Sequence, residues 1–334
     1  MTALTIDGCQ YCNWSEKIFR QLREGRVDAV VVTICYHEDF RETVQNLIDW
    51  NRRFERYSEL IMPATSAADV TRARASNRTA ILFALQNCSP IEDDIGLVAI
   101  LAQLGVRVMQ LTYNNQSLLG SGCYEQIDGG ISRMGREVIV EMNRVGIVID
   151  LSHSGERTCL EAIDLSSRPV AITHANPSWW HAVPRNKSDA VLKALSARGG
   201  MLGLSLYPHH LANGSDCTLD SFTGMVADLV SRIGIDHIGI GSDLCQDQPD
   251  SVVEWMRVGR WTKSSPDVGL GKAVFPPQPK WFRDNRDFPG LRTGLSERGF
   301  SAPEVDKLLG DNWLDFFTRS FGHTSSDSGE LEKG

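Results

Sequence analysis

Three short apolar runs in this chain end in residues able to hold a metal ion or move a proton. Ile147-Val148-Ile149-Asp150-Leu151-Ser152-His153 and Val170-Ala171-Ile172-Thr173-His174 each finish on a histidine, and His237-Ile238-Gly239-Ile240-Gly241-Ser242-Asp243 finishes on a carboxylate. Two neutral imidazoles about one strand spacing (~5 Å) apart can hold a divalent cation, and a carboxylate facing the same mouth can shuttle protons. The competing reading is two ordinary polar residues at strand ends and an aspartate capping the next helix. The N-terminal run Leu4-Thr5-Ile6-Asp7-Gly8-Cys9-Gln10-Tyr11 lacks the His and Asp that would complete such a site.

These residues need a frame that brings strand ends together. Eight apolar runs read as strands, at residues 3–7, 29–35, 79–85, 106–111, 147–151, 170–173, 201–206 and 237–241. Amphipathic stretches at 14–24, 40–56, 95–104 and 131–145 lie between them. In the last, Ile131, Met134, Val138, Met142 and Val145 share one face, with Arg136, Glu141 and Arg144 off it. Eight strand–helix alternations predict an α/β chain folded as a closed (β/α)8 TIM-like barrel, with chemistry at the C-terminal rim; a doubly wound open sheet is the runner-up. One domain is expected over residues 1–322, closed by a helix at 302–319 and followed by a disordered tail, 323–334. A Pro-, Trp- and charge-rich insertion at 246–290 follows the eighth strand. It is positioned to act as a lid or dimer contact, with Trp255 and Trp261 favouring burial, or to remain a solvated loop.

Composition narrows the class. A net charge of −8 argues against a nucleic-acid or anionic-membrane surface, and no apolar run reaches the ~20 residues of a membrane helix. The N-terminus reads as free of a secretory signal. The eight cysteines, scattered through a long chain, then read as reduced thiols, so a cytoplasmic location is expected.

Taken in order, Ile6-Asp7-Gly8, Gln110 to Asn115, Gly130 to Arg144, Gly146 to His153, Pro169 to Asn176, Arg185-Asn186, Gly241-Ser242-Asp243, Phe288 to Leu291 and Leu309 to Trp313 resemble the membrane (renal-type) dipeptidases. That family comprises zinc peptidases on a metallo-dependent hydrolase barrel related to the amidohydrolases. The resemblance spans most of residues 4–318, and it is carried by the order and spacing of the pieces. It implies a binuclear zinc site built from a His and an Asp on the first strand, a bridging Glu after the third, and a His after each of the fifth and sixth.

His153 and His174 match the last two ligands. Cys9 stands at the first-strand His, Tyr11 at the Asp and Gln86 at the bridging Glu. An amide cannot bridge two dications as a carboxylate does, and two negative charges are gone. One zinc ion or none is therefore expected rather than two, with Cys9 as an optional thiolate ligand. Cys9 and Cys12 as a redox CxxC pair lack a thioredoxin-like context. The resemblance also implies Arg185, beside Asn186, as the grip on a substrate carboxylate, and Asp243 as the proton carrier. Tyr113 replaces a carbonyl-polarising His, and Tyr36-His37 is a further candidate for the mouth. Three functions follow: a hydrolase of dipeptides or related small amides with an altered site, a non-hydrolytic homologue binding a small acidic ligand, or an ordinary binuclear zinc dipeptidase. The partner is a small carboxylate-bearing molecule, and a homodimer fits a family whose members are commonly dimeric.

Overall fold

The computed structural model describes residues 4–258 and 273–321; the expected tail at 323–334 and Trp261 lie outside them. Among the described residues nine parallel strands form one sheet: β1 (Ile6–Gln10), β2 (Ala29–Cys35), β3 (Ile61–Pro63), β4 (Thr79–Leu85), β5 (Val106–Gln110), β6 (Val148–Asp150), β7 (Ala171–Ala175), β8 (Met201–Leu204) and β9 (Ile238–Ile240). Pairing of β2 with β4, and of β9 with β1 through Asp7 opposite Ile240, closes eight of them into a (β/α)8 barrel. The ninth, β3, pairs only with β4; three residues long, it is too short to show a hydrophobic period in the sequence.

The first strand lies later than the expected 3–7. Its polar residues stay in the sheet because their side chains find buried partners. Gln10 Nε2 donates to Asp7 (2.7 Å) and to Asn285 (2.7 Å), and Asp7 accepts from the Ser242 backbone N–H (2.7 Å). A register shift between Asp7 and Gln10 kinks the strand where it approaches the rim.

Alternation builds two cores. Along β2 and β4, Ala29, Val31, Ala80, Leu82 and Ala84 face the barrel interior, while Val30, Val32, Ile81, Phe83 and Leu85 pack under the surrounding helices. The predicted helices appear as Glu16–Glu24, Phe40–Arg56, Gly96–Gln103 and Arg133–Val145. The last starts at a Ser132 cap, buries Val138, Ile139 and Met142, and ends at left-handed Gly146 (φ 75°).

The C-terminal helix runs from Ala302–Asp306 through a π-turn, Lys307–Asp311, into Asn312–Ser320. It crosses the start of β1 and inserts Trp313 into the barrel, where the indole N–H donates to the Ile240 carbonyl (2.8 Å). Gly8 and Gly239 make room for it: a Cβ at either would lie 2.4 or 2.6 Å from the ring. With the interior filled from below, the open end is the C-terminal mouth. The insertion is not wholly irregular, because it contains the helix Ser251–Val258. Among the described residues no helix is long and apolar enough to cross a membrane.

Candidate active site

A buried carboxylate sets the ends of β5, β6 and β7. Asp150 accepts from the Ser152 N–H (3.0 Å) and hydroxyl (2.6 Å), the Thr173 N–H (3.0 Å) and hydroxyl (2.5 Å), and Gln110 Nε2 (3.0 Å). So many donors stabilise the buried carboxylate and lock two strand ends together. Each end carries one candidate histidine. His174 lies within β7, and His153 three residues beyond β6.

The partners of both rings define their tautomers. His153 Nδ1 is 2.7 Å from Asn114 Oδ1, a carbonyl that only accepts, so this nitrogen carries the proton. His174 Nδ1 is 2.8 Å from the Thr173 hydroxyl, whose own proton goes to Asp150, so this nitrogen also donates. Both Nε2 atoms are therefore bare lone pairs, and they face each other at 3.0 Å. Two lone pairs at that distance repel unless a cation sits against both. Burial, then the nearby Arg185 charge, holds both histidines well below their ordinary pKa range, which disfavours a proton in that role. The donor set fits a metal ion, with outer hydrogen bonds of the kind that orient histidine ligands.

The opposite side of the mouth differs. Cys9 Sγ lies 3.9 Å from Asp243 Oδ1 and 3.9 Å from the Thr33 hydroxyl. Gln86 turns its amide nitrogen, a donor, toward Cys9 Sγ (3.4 Å), the Thr33 hydroxyl (2.8 Å) and the Tyr36 hydroxyl (3.3 Å). A donor there cannot ligate a cation. Tyr11, Tyr36, Tyr113 and His153 form a chain of ring contacts with centroids 4.2–4.9 Å apart, filling space with neutral rings. Burial pushes the Tyr11 and Tyr113 phenols above their usual range, so both stay neutral. This side does not fit a second metal ion.

Asp243 lies just past β9 with φ 56°, and Asn114 has φ 62°; both are left-handed conformations that Asn and Asp tolerate best among residues with side chains. Burial pushes the Asp243 carboxyl up to about 7, against the pull of Arg185. Arg185 is no surface residue: at 3% exposure it donates to the Ser152 and His174 carbonyls, tying together the backbone beside both histidines.

Gln86, Tyr113, Asn114, His153, Arg185 and Asp243 line a narrow cavity of ≈ 70 Å³. Asn186 is not on its wall. Its amide bonds the His181 and His210 carbonyls and the Asn176 N–H, which makes it a loop brace rather than a cavity group. His37 flanks the cavity instead of lining it, its ring against Tyr113 and Trp255.

Other wall residues were not anticipated. His209, His210 and Tyr207 come from the loop after β8, Tyr124 from the loop after β5, and Val253, Met256 and Arg257 from the insertion helix. The run Tyr207-Pro208-His209-His210, placed directly after an apolar strand, carries the signal that could have found the first three. His210 Nδ1 sits 2.8 Å from the Ser205 hydroxyl, and burial holds its pKa well below the usual histidine range.

A rim where one imidazole of a preset pair, a buried carboxylate and a buried guanidinium line one cavity, with the second imidazole fully buried beside the first, is that of a metallo-dependent hydrolase barrel. Residues 14–259 match the membrane dipeptidase family, peptidase family M19, and the chain belongs to that family. Dipeptidase verJ of Clonostachys rogersoniana is 31% identical over 303 residues, covering 90% of this chain and 70% of that protein. The crystal structure of an amidohydrolase from Pseudomonas aeruginosa superposes with a TM-score of 0.91 at 36% identity, covering 96% of this chain and 97% of the other. A metallopeptidase from Rhodobacter sphaeroides, bound to a phosphinate mimic of L-Ala-D-Ala, shares the fold with a TM-score of 0.80 at 18% identity, covering 96% of this chain and all of the other.

Proposed function

We propose that this protein hydrolyses the amide bond of a small substrate bearing a free carboxylate, such as a dipeptide or an N-acyl amino acid, with at most one zinc ion. The observation that carries this reading is the facing pair of Nε2 lone pairs on His153 and His174, 3.0 Å apart beside the Asp243 carboxylate. His153 and His174 would hold the ion, which when bound supplies Lewis acidity.

The chain's own residues supply the rest. Arg185 binds the substrate carboxylate through guanidinium N–H groups that its two carbonyl contacts leave over, and that anchor orients the scissile bond. Asp243, poised near neutral pH, takes a proton from the attacking water and returns it to the leaving amine. The Tyr113 hydroxyl, neutral in this pocket, donates a hydrogen bond to the substrate carbonyl. Val253 and Met256 narrow the cavity and limit water.

A second reading has its own support. The neutral set of Tyr11, Gln86 and Tyr113, with Arg185 intact, also suits a homologue that binds a small acidic molecule without cleaving it.

The test is metal content of chain purified without chelator, followed by hydrolysis of a dipeptide panel with and without added zinc. About one zinc per chain, lost in His174→Ala together with cleavage, is the expected result. Arg185→Ala should raise KM for carboxylate substrates more than for their amides. Two tightly held metals per chain would overturn the single-ion reading, and zinc-loaded protein that binds acidic ligands but cleaves nothing would establish the second.

A further inference from the structure

We propose that Cys9 is a thiolate ligand of the cation, joined by His174 and Asp243, which makes this centre selective for zinc-like ions over magnesium or calcium. The inference rests on the single-ion reading above and specifies its ligand set.

Cys9 Sγ, a ring nitrogen of His174 and a carboxylate oxygen of Asp243 all lie within 4.8 Å of one another, and all three residues are buried. His153 Nε2 lies 3.0 Å from its counterpart on His174 but outside this three-residue group, so the ligand set is Cys9, His174 and Asp243. A buried cysteine is more often a small apolar filler. Here, however, the sulfur is surrounded by polar groups: the Asp243 carboxylate, the Thr33 hydroxyl and the Gln86 amide. The two facing imidazole lone pairs are an independent sign that a cation belongs beside it.

Charge agrees with the geometry. One thiolate and one carboxylate balance a dication, so the site needs neither of the carboxylates missing at Tyr11 and Gln86. Gln86 gains a role of its own. Its N–H, 3.4 Å from Sγ, donates to the sulfur and supports the thiolate as an outer partner supports a ligand. As the ion binds, the Cys9 thiol releases its proton to solvent. Asp243 can ligate through one oxygen and keep the other for proton transfer. Sulfur is a soft donor, which sets the preference for zinc or cobalt over the hard ions magnesium and calcium.

The experiment uses the full chain loaded with zinc or with cobalt(II). X-ray absorption of the zinc form should show a sulfur ligand at about 2.3 Å. The cobalt form should show a near-ultraviolet sulfur-to-cobalt charge-transfer band that disappears in Cys9→Ser and persists in Cys12→Ser. Zinc affinity of Cys9→Ser should fall about 10–100-fold or more, the range that loss of even an outer partner produces. One bound zinc with only nitrogen and oxygen neighbours in the wild-type protein overturns the thiolate while leaving the single-ion reading intact. No zinc bound at all overturns both. Because absorption on the wild-type chain decides the matter, a Cys9 variant that fails to fold does not blunt the test.

Discussion

Where β6, β7 and β9 end, the groups that meet are two imidazoles and a carboxylate, His153 and Asp243 on the cavity wall and His174 fully buried beside them, the imidazoles oriented by Asn114, Thr173 and, behind them, Asp150. Where β1 and β4 end, they are a thiol and an amide, with the phenols of Tyr11 and Tyr36 alongside. The contrast lies in charge and preset orientation. The first side presents lone pairs already aimed at one point. The second offers neutral groups, one of them a donor, that cannot gather a second dication. Because each candidate ligand rides on its own strand end, one side of a barrel mouth can change its chemistry while the other keeps its groups.

The contrast can be broken or sharpened by experiment. The largest effect is expected from Asp243→Asn, which should lower kcat about 10²–10⁴-fold when measured on zinc-saturated protein; undiminished turnover on a competent substrate would remove Asp243 from proton transfer. Thr173→Val deletes the acceptor that fixes the His174 tautomer and should weaken zinc binding about 10–100-fold, read by competition with a chelator. Unchanged affinity would show that the preset side does not need its outer shell.

The combined change Cys9→His, Tyr11→Asp and Gln86→Glu tests the neutral side directly. It should raise metal content from about one to about two ions per chain, since it returns a bridging carboxylate and the missing charge. A variant that stays at one ion would mean that the tyrosine packing, rather than ligand chemistry, excludes the second.

The smallest effect concerns pH. In chelator-treated protein Asp243 is raised from its ordinary 3.8 to about 7, so the folded state keeps a proton that the unfolded chain has already lost. Its contribution therefore lowers stability as pH rises from about 3.8 through about 7 and is constant above. The Tm difference between wild type and Asp243→Asn should shift in the variant's favour by a few degrees across that window; a flat difference would mean that Asp243 is not raised. The buried histidines act oppositely, losing stability as pH falls through the ordinary histidine range, but they are common to both proteins and cancel.

Much of the frame was legible in the chain. The eight barrel strands announce themselves as apolar runs at α/β spacing, and three of them point to His153, His174 and Asp243. The changes at Cys9, Tyr11 and Gln86 were readable as chemistry, because residue type alone says what can carry charge. The boundaries of β1 were misplaced because Asp7 and Gln10 look like strand-enders until their buried partners Ser242 and Asn285, more than two hundred residues away, are in place. For the same reason Asn186 read as a ligand-facing neighbour of Arg185, although its amide is used on backbone groups.

By itself the sequence determined a parallel barrel, a rim with two histidines and an aspartate, and a family whose full ligand set is not present. These follow from local periodicity and residue type. Only the tertiary structure decided that the bare Nε2 atoms of both histidines face each other, that Cys9 and Asp243 gather beside His174, and that Arg185 braces the two histidine-bearing segments. Those facts depend on side chains from separate strands meeting at one end of a closed barrel, and on which hydrogen-bond partner each nitrogen finds there. No spacing along the chain encodes either.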